Sequence, residues 1–211
     1  MPEPLSPELS ISHSDSSDLS SKRQQLIETA FRLFYRNGIH AVGINQILKE
    51  SGIAKKTLYH HFSGKEALLL AVLKYRDECF LQWLSGRMEE TREGLPALEV
   101  IFDALDDWFN NRVDSLMHFQ GCFFINTCGE FGDLQHEVHQ QCTQHKTAVE
   151  QLVRRQVNQL EGITYPEQLT QNICQLKDGA IVQAHVQGDT MAALRSKKLI
   201  RPMVQWASQV E

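Results

Sequence analysis

GINQILKESGIAKKTLYHHF, residues 43–62, reads as two short helices joined by a tight turn. Ile44, Ile47 and Leu48 recur at one-face helical spacing in the first half. Gly52 stands where helices commonly end on a left-handed residue, a conformation glycine adopts without steric cost. Ile53 follows as the apolar pin of the turn. Leu58 and Phe62 lie four apart and point one way, into whatever packs behind. Lys55, Lys56, Tyr59 and His60 are left on the outward side. A cationic face with phenol and imidazole donors suits a helix laid in a major groove against phosphates and base edges. An ordinary helical hairpin with a solvated basic face has the same spacing.

The flanks favour the first reading. Residues 21–65 hold eight Lys or Arg (Lys22, Arg23, Arg32, Arg36, Lys49, Lys55, Lys56, Lys65) against Glu28 and Glu50, a net of +6. The whole 211-residue chain carries −5, so the remainder carries −11. A basic head on an acidic body is the footprint of a nucleic-acid reader with a separate second function.

The longer run QQLIETAFRLFYRNGIHAVGINQILKESGIAKKTLYHHFSGKEALLLAVL, residues 24–73, resembles the DNA-binding domain of the TetR family of transcriptional repressors. The likeness is ungapped, with GIAKKTLYHHFSGKEAL as its core. It implies a homodimer that binds double-stranded operator DNA and leaves it when a small-molecule effector enters the C-terminal domain. It also implies DNA contacts for Lys55, Lys56, Thr57, Tyr59, His60 and Lys65. Tyr59, His60 and Lys65 would hold phosphates, whereas Lys55 and Lys56 would approach bases. Many relatives have a small residue where this chain has Lys56. Asn45 stands where relatives often place a phosphate-binding threonine.

Around that core the chain reads as all-α: a three-helix helix-turn-helix head, then a larger helical domain for effector binding and dimerisation. We place a disordered arm at residues 1–19, the head at 20–66 and the body at 67–211. The arm is rich in Ser, Pro and Asp and carries no Lys or Arg. A first helix from Ser21 to Asn37, opened by a Ser21–Gln24 capping box, would turn Leu26, Ile27, Ala30, Phe31, Leu33 and Phe34 inward. Ser63-Gly64-Lys65-Glu66 is a second capping box, opening a helix to about Arg87 whose positive end suits a phosphate. In the family this helix joins head to body. Two half-sites must fall roughly 34–36 Å apart, so a small tilt there would break both sets of contacts together.

Further helices are expected from Pro96, from Asp133 to Leu160, from Pro166 to Gln187, and from Thr190. Pro202 should kink or end the last one unless it opens a new first turn. The final two helices carry Ile173, Leu176, Ala180, Ile181 and Ala184, then Met191, Leu194, Leu199, Val204 and Trp206. That exceeds what a peripheral pair buries, which points to a symmetric four-helix contact between two chains. Packing within one chain would also use it.

The segment from Phe119 to Phe131, FQGCFFINTCGEF, is the candidate wall of an effector cavity. Trp108, Phe119 and Cys122, with Phe123 or Phe124, would supply its surface, and His118, Asn126 or Glu130 its polar contacts. Plain core would look the same. His136, His139, Cys142 and His145 repeat every three residues, yet such a ladder drifts around a helix and cannot converge on one ion. No metal site and no cofactor are expected. Five cysteines, odd in number and unpatterned, read as reduced thiols. Cys142, near His139, His145 and Lys146, is the candidate if any is redox-active. Enzyme readings lack their motifs: His136-Glu137-Val138-His139 is one residue short of the zinc-protease spacing, and nucleotide-binding and nucleophile-elbow signatures are absent. No apolar run is long enough to span a bilayer and no leader is visible, so we expect a cytoplasmic protein. Two other functions keep the same head. One is a DNA-binding adaptor that positions another protein. The other is a thiol- or metal-responsive sensor; a small-molecule binding module, with the basic head vestigial, is a further alternative.

Overall fold

The structure, a computed structural model, describes residues 13–209, with side chains from residue 19. Among the described residues every regular element is helical: α1 His13–Asn37, α2 Ile44–Ser51, α3 Lys55–His61, α4 Lys65–Glu89, α5 Leu95–Phe109, α6 Phe123–Glu130, α7 Glu137–Val157, α8 Pro166–Gln187, α9 Ala192–Lys197 and α10 Ile200–Ala207. A 3-10 turn at Asp114–Leu116 bridges α5 and α6.

The head forms as its pattern dictates. Leu26, Ile27, Ala30, Phe31 and Phe34 of α1 are buried against Ile47 and Leu58, and Leu33 is half-buried. Burying a leucine such as Leu58 contributes about 1.5–3 kcal/mol, which fixes the outward face of α3 by fixing its inward one. Gly52 ends α2 with φ 67° and ψ 9°, its N–H donating to the Leu48 carbonyl at 3.0 Å. A side chain there would cost roughly 1–2 kcal/mol. From α1, Gln25 donates to the Ser51 carbonyl at 2.9 Å and so satisfies the end of α2.

Several expected boundaries move. The part of the arm at residues 1–12 lies outside the described residues, but α1 already runs from His13, eight positions before Ser21. Ser21 is therefore inside a running helix, where no free N–H awaits a cap. The second capping box is not made either. Gly64, in extended backbone, is the N-cap of α4, and no side chain caps it. Before α7, Asp133 closes a side-chain turn onto the N–H of Gln135 at 2.9 Å, and His136 then caps the helix by accepting from Val138. The last helix is two. Pro202 has no N–H for the Lys198 carbonyl, so the chain breaks at Lys198-Leu199 and Pro202 falls in the first turn of α10.

In the body, α4 runs along α1, α5 and α7, while α8 packs on α7 and α9. The apolar residues expected at a dimer contact divide between interior and surface. Ile173, Ala180, Ile181 and Ala184 are buried within the chain's own core. Met191, Leu199 and Trp206 of the expected set are exposed, as are Val182 and Val186, while Leu176, Leu194 and Val204 are half-buried. Among the described residues, no helix is long and apolar enough to cross a membrane.

Candidate nucleic-acid interface and the junction behind it

Seven residues short, α3 presents one side to the core and the rest to solvent. Lys55, Lys56, Tyr59 and His60 are exposed, Tyr59 by 48%, and Thr57 is half-buried. The Lys55 ammonium lies 6.0 Å from the Tyr59 ring centre, so the cation and the phenol share one patch. Asn45 is exposed on the first turn of α2. Lys65 is half-buried at the start of α4, its ammonium 5.9 Å from the Phe34 ring. Here the stem packs while the charge stays at the helix end, where backbone N–H groups also point. The structure thus gathers Lys55, Lys56, Thr57, Tyr59 and His60 on one helix, with Asn45 and Lys65 on the helices either side.

The effector residues are not gathered in the same way. Trp108 is buried and meets Phe119 edge-on, with ring centres 4.9 Å apart. His118, next to Phe119 in sequence, is exposed. Phe123 turns to the head instead, edge-on to Phe31 at 5.3 Å and to Tyr35 at 6.0 Å. Cys122 is buried, and Asn126 donates to the Gln120 carbonyl at 3.0 Å. Glu130 accepts from the N–H groups of Ile39 and His40 at 2.7 and 2.6 Å, and contacts the His40 ring at 2.7 Å. Burial alone would raise the Glu130 carboxyl; those hydrogen bonds outweigh it and hold it below its ordinary value. Glu130 therefore fastens α6 to the loop after α1.

A second fastening lies beside it. The Tyr35 hydroxyl donates to the Gly121 carbonyl at 2.6 Å and accepts from the Gln120 N–H at 2.9 Å. Burial pushes the phenol up to about 12, so it remains a donor. Gly121 has φ +82°, and a Cβ there would lie 2.4 Å from Nδ1 of His185 on α8. Only glycine fits.

The histidine ladder comes apart on inspection. His136 caps α7, and His139 contacts the Phe131 carbonyl at 2.7 Å. His145 is buried, stacked on Phe124 with ring centres 3.6 Å apart and 2.7 Å from Asp77. Burial lowers it to about 4, Asp77 opposing. No group of three or more metal-binding side chains converges among the described residues. Burial also raises the Cys142 thiol, and the Cys128 thiol beside it, the reverse of what a stabilised thiolate requires.

Sequence reading missed Arg76. It is 1% exposed, enclosed by the rings of Phe31, Tyr35, Phe80 and Trp108 at 5.3–5.9 Å. The available signal was its place on the apolar stripe of α4, after Leu69, Val72 and Leu73 and before Phe80.

Among the described residues, an all-helical fold with an exposed cationic second helix of a helix-turn-helix, seated on a helical body, has the architecture of a DNA-binding regulator. Residues 26–72 match the profile of "Bacterial regulatory proteins, tetR family", and residues 94–200, about half the chain, match that of "Tetracyclin repressor-like, C-terminal domain". The chain belongs to the TetR family of transcriptional regulators. It is similar to the HTH-type transcriptional regulator YxaF of Bacillus subtilis, 36% identical over 90 residues, 42% of this chain and 47% of that one. The chain spans half or less of the length of the first curated relatives it matches. Its fold is similar to SCO4454, a TetR-family regulator of Streptomyces coelicolor, with TM-score 0.79, 26% identity, and 90% and 97% of the two chains covered. It also matches the fold of Bacillus subtilis FadR in complex with stearoyl-CoA, with TM-score 0.65, 18% identity, and 89% and 99% covered. Relatives and fold are those of transcription regulators rather than enzymes.

Proposed function

We propose that this protein is a homodimeric, ligand-responsive repressor whose two α3 helices enter successive major grooves of a palindromic operator. The observation that carries the reading is the exposed row Lys55, Lys56, Tyr59 and His60, held outward by buried Leu58. Lys55 and Lys56 approach bases, Thr57, Tyr59, His60 and Lys65 hold phosphates, and Asn45 steadies the approach. The patch of Val182, Val186, Met191, Leu199 and Trp206 supports a second copy packing on α8 and α10. Trp108 and Phe119 belong to the effector-responsive interior, while Phe123, Asn126 and Glu130 carry its state to the head. Operator binding makes the cytoplasm its workplace.

A salt titration of binding to the DNA upstream of its own gene tests this. Each phosphate neutralised adds about −0.9 to the slope of log affinity against log salt. A steep negative slope is expected; binding that is flat with salt, or missing at low salt, would overturn the DNA-reader assignment. An adaptor role predicts the same slope without loss of transcription from that promoter.

A further inference from the structure

Arg76 is a buried cation with no carboxylate beside it among the described residues. Its Nη1 donates to the Leu116 carbonyl at 3.3 Å, and its Nη2 has no hydrogen-bond partner there. The indole N–H of Trp108, under the same guanidinium, is also unpartnered. Four aromatic rings lie under the charge, but a ring face does not replace a hydrogen-bond acceptor for Nη2. A lone charge in such surroundings is costly unless something of opposite sign reaches it.

Arg76 lines a cleft of about 330 Å³ between head and body, shared with Phe31 and Arg32 of α1, Tyr75 of α4, and Met117 after the 3-10 turn. Phe31 and Met117 give the cleft apolar walls, and the half-buried Tyr75 adds a phenol. Glu28 and Asp114 also line it, but both are exposed to water, unlike Arg76. Exposed Arg32 offsets them. The one buried charged group lining the cleft is Arg76.

We propose that this cleft is an effector site for a small organic anion, a carboxylate on a compact apolar body, whose carboxylate pairs with Nη2 of Arg76. The inference deepens the ligand-responsive reading above by naming the ligand class. Its location supplies the means of response. One wall, Phe31, belongs to the helix that carries the head and also packs on Phe123; the other wall belongs to the body. An occupant drawn down to Arg76 therefore sets the spacing of α1 and α4.

Calorimetric titration of the DNA-free protein with 1-naphthoate and with its neutral isostere 1-naphthamide tests the site directly. Naphthoate should bind, and the amide should bind at least ~30-fold more weakly, as expected for loss of a charge-assisted pair. Arg76→Met, which keeps the volume and removes the charge, should abolish the difference. It should also raise Tm by a few degrees, since an unpaired buried charge is gone, and promoter DNA binding at low salt should persist. No naphthoate binding at millimolar concentration, equal binding of acid and amide, or undiminished naphthoate binding by Arg76→Met would each overturn the proposal. Arg76→Lys guards against misfolding: it should retain partial preference for the acid. DNA binding is measured separately without ligand, so failure of the anion site leaves the DNA reading standing, and the converse also holds.

Discussion

Lys55 and Lys56 on α3 and Arg76 on α4 carry the same charge in opposite surroundings. The α3 lysines stand exposed to water, and in the proposed function they would reach base edges in a major groove. Arg76 is desolvated, which lowers its affinity for the proton, and it is steadied only by rings and one carbonyl. The contrast teaches that a cation on the surface of this protein is satisfied by water, while one in its interior is left short of a hydrogen-bond partner.

The largest effect should come from reversing the outer charges. Lys55→Glu with Lys56→Glu alters four groups in a dimer and should weaken promoter binding on the order of 10³-fold at physiological salt. Thermal stability should move by less than about 0.5 kcal/mol, because both side chains are exposed. Gel-shift and melting measurements check the two halves; a large loss of stability would erase the distinction drawn above.

The interior has its own pH signature, through His145. Its folded value of about 4 lies below the ordinary 6.5, so the unfolded chain takes up a proton that the folded one refuses. Stability from this group is complete above about pH 6.5 and is lost as pH falls toward 4, by on the order of 2–3 kcal/mol. Urea unfolding between pH 7 and 4.5 should show the loss, and His145→Gln should flatten it. An unchanged slope in that variant would place the acid sensitivity elsewhere.

Glu130→Gln should cost about 1.5–2 kcal/mol, the worth of a charged acceptor for two backbone N–H groups. Hydrogen exchange should rise at Ile39 and His40 while α3 stays protected. The smallest effect belongs to Lys65→Ala. It should weaken promoter and random DNA alike by a few-fold, about 1 kcal/mol, whereas Lys55→Ala should lower their ratio. Equal losses from both would refute the division between phosphate and base contacts.

The sequence disclosed the head more fully than the body, and for a physical reason. Gly52, Leu58 and Phe62 are neighbours in the chain, so their spacing alone states the turn and the inward face. Phe123 and Glu130 take their roles from Phe31, Tyr35 and Ile39, about 90 positions away. Nothing local distinguishes a phenylalanine that lines a cavity from one that meets another domain. Ile173 and Ile181 illustrate the same limit: helical spacing announced an apolar face, but which neighbour it meets depends on α7 and α9. Arg76 was in plain view as a charge on a greasy stripe, and its meaning required the four rings that close over it.

Gly121 joins these regions. The peptide that receives the Tyr35 hydroxyl is pressed against His185, and His185 adjoins Val186 on the outward patch of α8. A second copy settling on that patch would lean on the same keystone that braces α1. A side chain at this one corner would push on α8 and on the partner of Tyr35 at once, so a change to Gly121 would be felt in two places far apart in the chain.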